Sequence, residues 1–427
     1  MQGVRSSSLL SSTTIAMSNY PQENLLDKSL TPLEKWLYFV GFPTGHGAVD
    51  FPFGAMWLLA PAVATSFGMS PTQIGYLFTA MILGGGCAHI PAALIGETNR
   101  RRQLFPLTLF LVGVSYFLGS VSSYYFLFLA FMVIGAASAA AWHPVAMGTL
   151  AERMPTRKAF AFGVHFVGGS VAEVIAPISV GFFLMVTGWR QVMQGTLIPA
   201  FAVGLLFLRM KKYVQLPLHG SFGIHDIRPI LRLMGSPASL AIFLALGFHS
   251  MAIIGLFTMI PLYLQLEWNL SSGLTGSLFS LMILCGAVGA PLLGVLADSR
   301  FQRKMIIFSL VGVMGSTIVI VFGREIAHLV VGIVIIGFLL LGLLPSMRAL
   351  LLSIIGGRQT AVMGVVLAGG EIVGAFGSLL SGILGEFDLA LSILLVGVLA
   401  GFSAFLIWVL PRKEPEWLET TSKIIPS

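Results

Sequence analysis

Few side chains in this sequence could do chemistry, and most of them lie inside long apolar runs. A charge at the centre of a bilayer costs about 2.5–3.5 kcal/mol on insertion scales, so each such residue needs a partner, a wet cavity or a task. His46 and Asp50 stand four apart, on one face of a helix, where they can share a proton or form a bond that braces the helix. His143 precedes Pro144, which frees a backbone carbonyl nearby, so capping a kink competes with a binding role. Glu173 and Glu371 lie about 20 Å and 15 Å from the ends of their runs by the helix rise, near mid-membrane. A carboxyl buried there changes charge cheaply, which suits a proton-linked step, although a protonated glutamate bonded to a neighbouring helix would serve structure alone. His249 and His165 are weaker candidates of the same kind, and His89 stands nearer the end of its run. Arg348 is the cation of this interior set and could attract an anionic group. No nucleophile, metal-ligand spacing or carboxylate pair on one face suggests an enzyme, and no cofactor or metal is expected. Cys87 and Cys285 fall within apolar runs, which excludes a disulfide framework.

The elements that must carry these residues follow from composition. The chain is 56% hydrophobic and 10% charged, with mean hydropathy +0.92, far from a soluble domain. About 20 apolar residues cross roughly 30 Å of hydrocarbon as a helix. Runs of that length number six between Trp36 and Leu208 and six between Ala238 and Leu410. The expected organisation is a Ser- and Thr-rich tail over 1–31, with Met17 as an alternative start, and a six-helix bundle over 32–208. A polar linker over 209–236, a second six-helix bundle over 237–410 and a tail over 411–427 complete it. The first run, Trp36 to Phe67, is punctuated by Gly41, Pro43, Gly45, Gly47, Pro52 and Gly54 and should be bent or locally broken.

The second bundle copies the first. Gly75–Glu97 aligns on Gly276–Asp298 without a gap at an offset of 276 − 75 = 201 residues, and the register continues through Pro144/Pro345, Arg157/Arg358, Gly168-Gly169/Gly369-Gly370 and Gly181/Gly382. Interior ionisable groups fall on runs one, two, four, five, seven, ten and eleven, whereas three, six, nine and twelve carry none beyond their ends. The first group should enclose a polar interior and every third helix should face lipid. The net charge of +7 sits in short loops between runs, where it sets orientation and does not point to nucleic acid. With both termini cytoplasmic, only Arg190 and Arg324 among lysines and arginines fall in outer loops, as the positive-inside rule requires. Asn269-Leu270-Ser271 is a glycosylation sequon too near the bilayer to be readily used.

Two parallel six-helix repeats with an acid and a basic cluster after spans two and eight resemble the major facilitator superfamily over essentially Trp36 to Leu410. The family's loop motif is matched by Gly294, Asp298, Arg300, Arg303 and Lys304, while the first copy has Ala93 for glycine and Glu97 for aspartate. A proline-containing motif of span five appears as Ala172–Pro177, with Ala176 where antiporters usually have glycine. His46-x-x-x-Asp50 with Pro61, Trp142-His143-Pro144 and His165-Phe166-Val167-Gly168-Gly169 resemble the fosmidomycin-resistance branch, which does not by itself imply transport of that drug.

The resemblance implies an all-α membrane protein of twelve transmembrane helices, a monomer in a plasma or bacterial inner membrane. It would move a small organic solute, an anionic one among the candidates, by alternating access, with protons as coupling partner and efflux as one direction. An uncoupled facilitator and a non-transporting membrane sensor are the rival expectations. Proton coupling or substrate contact falls to His46, Asp50, His143, Glu173, His249, Arg348 and Glu371. A cytoplasmic gate is expected from Glu97, Arg157, Asp298, Arg303 and Arg358, with Glu97 opposite Arg358 and Asp298 opposite Arg157 in the outward-open state.

Overall fold

The structure, a computed structural model, describes residues 31–154, 158–214, 237–297, 301–355 and 359–410. Twelve helices among them are long and apolar enough to cross a membrane, and no strand occurs among the described residues. They are α1 (Pro32–Phe67), α2 (Pro71–Gly96), α3 (Arg101–Val121), α4 (Tyr125–Arg153), α5 (Lys158–Phe183) and α6 (Trp189–Tyr213) in the first half. The second half holds α7 (Pro237–Leu266), α8 (Ser272–Ala297), α9 (Gln302–Phe322), α10 (Ile326–Leu351), α11 (Gln359–Phe387) and α12 (Leu389–Val409). The tail before Thr31, most of the linker and the tail after Leu410 lie outside the described residues.

Local chemistry sets the helix ends. Gly68 terminates α1 at φ 62°, in the left-handed region that glycine enters without strain, and Ser70 and Gln73 form a reciprocal capping box ahead of α2, with Pro71 in its first turn. The break expected in α1 takes a milder form. Leu37–Gly41 is a single π turn in which the Phe42 N–H reaches back to the Leu37 carbonyl just before Pro43, which has no N–H to offer. Pro52 and Pro61 are carried within the helix. A second π turn, Gly337–Leu341, interrupts α10.

Within each half, α2 packs on α4, α1 on α5 and α3 on α6, and α7 packs on both α11 and α12. The halves meet along two seams, α2 against α11 and α5 against α8. The repeated glycines make these seams. A methyl on Gly75 would meet Ser378 and Gly382 of α11, and one on its counterpart Gly276 would meet Pro177 of α5. Gly181 and its counterpart Gly382 likewise face Ser272 and Pro71. Hydroxyls add to the contact, with Ser272 Oγ donating to Gly181 O at 2.9 Å, Ser280 Oγ to Val174 O at 2.7 Å and Thr79 Oγ1 to Ala375 O at 3.1 Å. Most of these contacts lie toward the end of the molecule away from the linker. Near the linker end Gly148, Gly163 and Gly294 have nothing within 4 Å of where a methyl would stand.

The outer surface is apolar, as every third helix predicts: Leu107, Leu111 and Phe117 of α3, Phe308 and Phe322 of α9, and Phe402, Phe405 and Trp408 of α12 are exposed. In water such patches would drive association, whereas a bilayer covers them.

Candidate functional site

Between the halves lies a cavity of about 260 Å³. Asp50, His143, Glu173 and Glu371 stand on its wall, brought from α1, α4, α5 and α11. Phe53, Trp57, Phe257 and Phe279 line it on the side of the closed end. Of the seven residues expected to contact solute or proton, those four line it directly, and His46 touches it through Asp50.

His46 and His165 owe their positions to two glycines. A methyl on Gly168 would collide with the Pro43 carbonyl, and one on Gly169 would stand 2.5 Å from His46 Nε2. With hydrogen at both positions α5 lies close against α1, and the His46 ring is stacked on His165 with centroids 4.2 Å apart and planes 22° from parallel. Trp142 and His143 divide between core and cavity: Trp142 is buried among Phe105, Phe207 and Phe42, while His143 faces inward.

The bonds of His46 fix a proton. Nδ1 lies 3.0 Å from the His165 carbonyl, which can only accept, so Nδ1 carries hydrogen. Nε2 lies 2.9 Å from Asp50 Oδ2. With Nδ1 protonated, a neutral ring and an ionised carboxylate would set lone pair against lone pair, so a hydrogen must lie between them. The pair is either imidazolium and carboxylate or imidazole and carboxylic acid. Turning the ring over would replace both nitrogens by carbon and lose both bonds. Asp50 Oδ1 is 3.2 Å from His143 Nε2, for which a neutral donor suffices. Beyond His143, whose ring centroid is 6.4 Å from that of His89, the path reaches the other half: His89 Nε2 is 2.9 Å from Glu371 Oε2.

Glu173 has no hydrogen-bond or ion-pair partner among the described residues and is open to the cavity. Arg348 is half-buried and lies off the cavity wall, makes no ion pair among the described residues, and acts on Glu371 and Glu173 at longer range. His249 is elsewhere: fully buried, it bonds through Nε2 to the Leu340 carbonyl at 2.8 Å, an acceptor within the α10 π turn. Its position is that of a brace and not of a wall residue.

The ligand atoms of His46, His143 and His165 lie within 4.8 Å of one another, a convergence of three helices that sequence spacing could not reveal. Metal-bound imidazoles aim in-plane lone pairs at one point about 2.0–2.1 Å away. The stacked rings of His46 and His165 run side by side and do not converge on a point, and both His46 nitrogens are engaged with other partners. His165 makes no side-chain hydrogen bond of ordinary geometry and is 1% exposed.

Of the expected gate, Arg157, Asp298 and Arg358 lie outside the described residues, as does Arg300 of the loop motif. Glu97 Oε1 stands 3.7 Å from Arg101, whose guanidinium forms a two-pronged pair with Glu152 at 2.5 and 3.0 Å. Arg101, 1% exposed, thus ties the α2–α3 turn to the end of α4 within the first half. Arg303 donates to the Trp408 carbonyl at the end of α12.

The chain belongs to the Major Facilitator Superfamily, whose sequence profile it matches over residues 45–266 and 242–423. A Haemophilus influenzae protein named "Putative metabolite transport protein" is 23% identical over 282 residues, 63% of this chain and 69% of that protein. Among solved structures, a bacterial homologue of the human lysosomal transporter Spinster, inward-facing and occupied, superposes with TM-score 0.75 at 14% identity, covering 89% of this chain and 97% of that one. Its unoccupied inward-facing form gives 0.74 at 14% identity, over 89% and 98% of the two chains. A point mutant of the nucleoside transporter NupG gives 0.71 at 12% identity, over 87% and 98%. The chain is therefore an integral, multi-pass membrane protein of a transporter family and not an enzyme.

Proposed function

We propose that this protein is a proton-coupled secondary transporter that carries a small organic solute by alternating access. The observation that carries the proposal is the proton that the His46–Asp50 geometry requires on the wall of a cavity shared by both halves. Coupling needs a group whose proton occupancy changes as water reaches one side and then the other. Asp50 in the first half and Glu371 in the second stand on that wall, each bonded to a histidine that can receive or return the proton. The halves touch at the end away from the linker, so with both termini cytoplasmic, as the distribution of cations favours, this is an inward-facing form. Residues 32–208 and 237–410 are then the two rocking bodies of a monomer. On our reading the chain belongs with the fosmidomycin-resistance branch, which the His46/Asp50/Pro61, Trp142-His143-Pro144 and His165–Gly169 groups support.

The test is flux of a solute panel into proteoliposomes with and without an imposed pH gradient. Neutral Asp50→Asn and Glu371→Gln variants should still exchange solute but lose gradient-driven accumulation, by roughly tenfold or more. Uphill transport by the double variant at the wild-type rate, with unchanged pH dependence, would refute coupling through Asp50 and Glu371.

A further inference from the structure

The carboxylates on the cavity wall are unequally partnered, and the inequality points to the solute. Asp50, Glu173 and Glu371 supply three carboxylates. Asp50 and Glu371 are each bonded to a histidine that can hold a balancing proton, His46 and His89, both at 2.9 Å; Arg348 acts from off the wall, and among the described residues no lysine or arginine lines the cavity. Glu173 carries the wall charge that has no such histidine. In a site walled by apolar helices it must be met by a further proton or by a cation brought in with the solute.

Glu173 is where that choice is made, because it is the wall carboxylate without a hydrogen-bond or ion-pair partner among the described residues. The groups that act on it are Asp50 and His46 from α1 and Arg348 from α10, with His143 of α4 and Glu371 of α11 across the same cavity. Helix α8, packed along α5, contributes only Cys285 among its titratable side chains.

A second, independent feature is the aromatic wall beside these acids. Phe53 and Trp57 of α1 pack edge to face with centroids 5.2 Å apart, Trp57 meets Phe257 of α7 at 5.7 Å, and Phe257 meets Phe279 of α8 at 4.9 Å. Aromatic faces attract cations through their quadrupole, and both halves contribute rings. The expectation of an anionic solute rests on Arg348, which stands off the cavity wall.

We propose that the solute is an organic monocation, an ammonium-type compound with a compact apolar or aromatic body, and that it exchanges with one proton at Glu173. This rests on the transporter reading above. When the cation enters, the Glu173 carboxylic acid releases its proton to water and the carboxylate pairs with the cation. When the cation leaves, the proton returns. No covalent bond other than O–H changes. Ala176, in place of the glycine usual in antiporters, does not widen the α1–α5 contact, because Gly54 of α1 lies opposite and even a methyl there would stand 3.4 Å from the Ala176 side chain.

The experiment uses the full chain and three probes of one shape: benzyltrimethylammonium, benzoate and the neutral benzamide. In weakly buffered detergent solution, benzyltrimethylammonium should bind and release about one proton per cation, and its affinity should fall as pH falls, by reciprocal linkage. Benzoate and benzamide should do neither. Glu173→Gln should abolish the release, Glu173→Asp should keep it, and Trp57→Leu should weaken binding about 2- to 30-fold with the proton count unchanged. If Glu173→Gln does not fold, the aspartate and Trp57 variants carry the test. Binding of the cation without proton release, or silence from all three probes, overturns the proposal. Gradient-driven accumulation of benzoate alone in proteoliposomes would overturn the cation assignment and leave proton coupling standing. Cation flux indifferent to the gradient would instead overturn the coupling.

Discussion

His165 illustrates how a single side chain divides chemistry from packing. It gives its backbone carbonyl to His46, stacks its ring beneath it, and has no ordinary hydrogen-bond partner for either ring nitrogen. A buried polar group left unpaired costs about 1–3 kcal/mol, whereas the stack and the carbonyl need only a flat ring and a backbone. His165→Phe should therefore raise the stability of the detergent-solubilised protein by about 1 kcal/mol, measured by thermal unfolding, and leave gradient-driven transport intact. Loss of transport in a stable variant would instead put His165 on the proton path. His249 belongs to the same kind: a histidine inside a membrane helix draws attention by its cost, yet the bond it makes supports an irregular turn.

At the scale of elements, the contact between α1 and α5 decides whether the proposed proton site can form. Gly168 admits the Pro43 carbonyl, so Gly168→Leu should force the helices apart, at a cost of about 1–3 kcal/mol typical of overpacking. A lowered melting temperature together with lost proton coupling is the expected result, and an unchanged melting curve would contradict the contact. Much of this level was legible beforehand. Apolar run lengths located the helices, proline and glycine spacing located the irregularity of α1, and the 201-residue offset paired glycines that the structure places in both seams. The convergence of His46, His143 and His165 was not, because they come from three helices whose mutual rotation depends on side-chain packing along their whole length. The pairing of His89 with Glu371 was hidden for the same reason: local periodicity records which face a residue occupies but not which helix lies opposite.

For the whole molecule, orientation is the property to test first. Single cysteines at Ser123 and Ser271, both exposed, should react with an impermeant thiol reagent added outside cells. Those at Gln103 and Lys211, exposed at the other end, should react only after permeabilisation. The reverse pattern would invert the topology. Ser122, next in the same turn, is buried and unsuitable as a reporter.

The closed end is held by hydroxyls donating to carbonyls and by hydrogen atoms of glycine against backbone, with the Glu386 carboxylate accepting from Thr72 N–H at 3.2 Å. Such a seal has little coulombic stiffness and, once parted, offers its carbonyls and hydroxyls to solvent. Its opening should be governed by the activity of water more than by ionic strength, since each bond given up is replaced by hydration. A spin-label pair across α2 and α11 should report fewer open molecules under osmotic stress from an excluded polymer, and nearly the same fraction when salt is raised. In a cell, the turnover of such a transporter would track turgor and dehydration even at constant proton gradient.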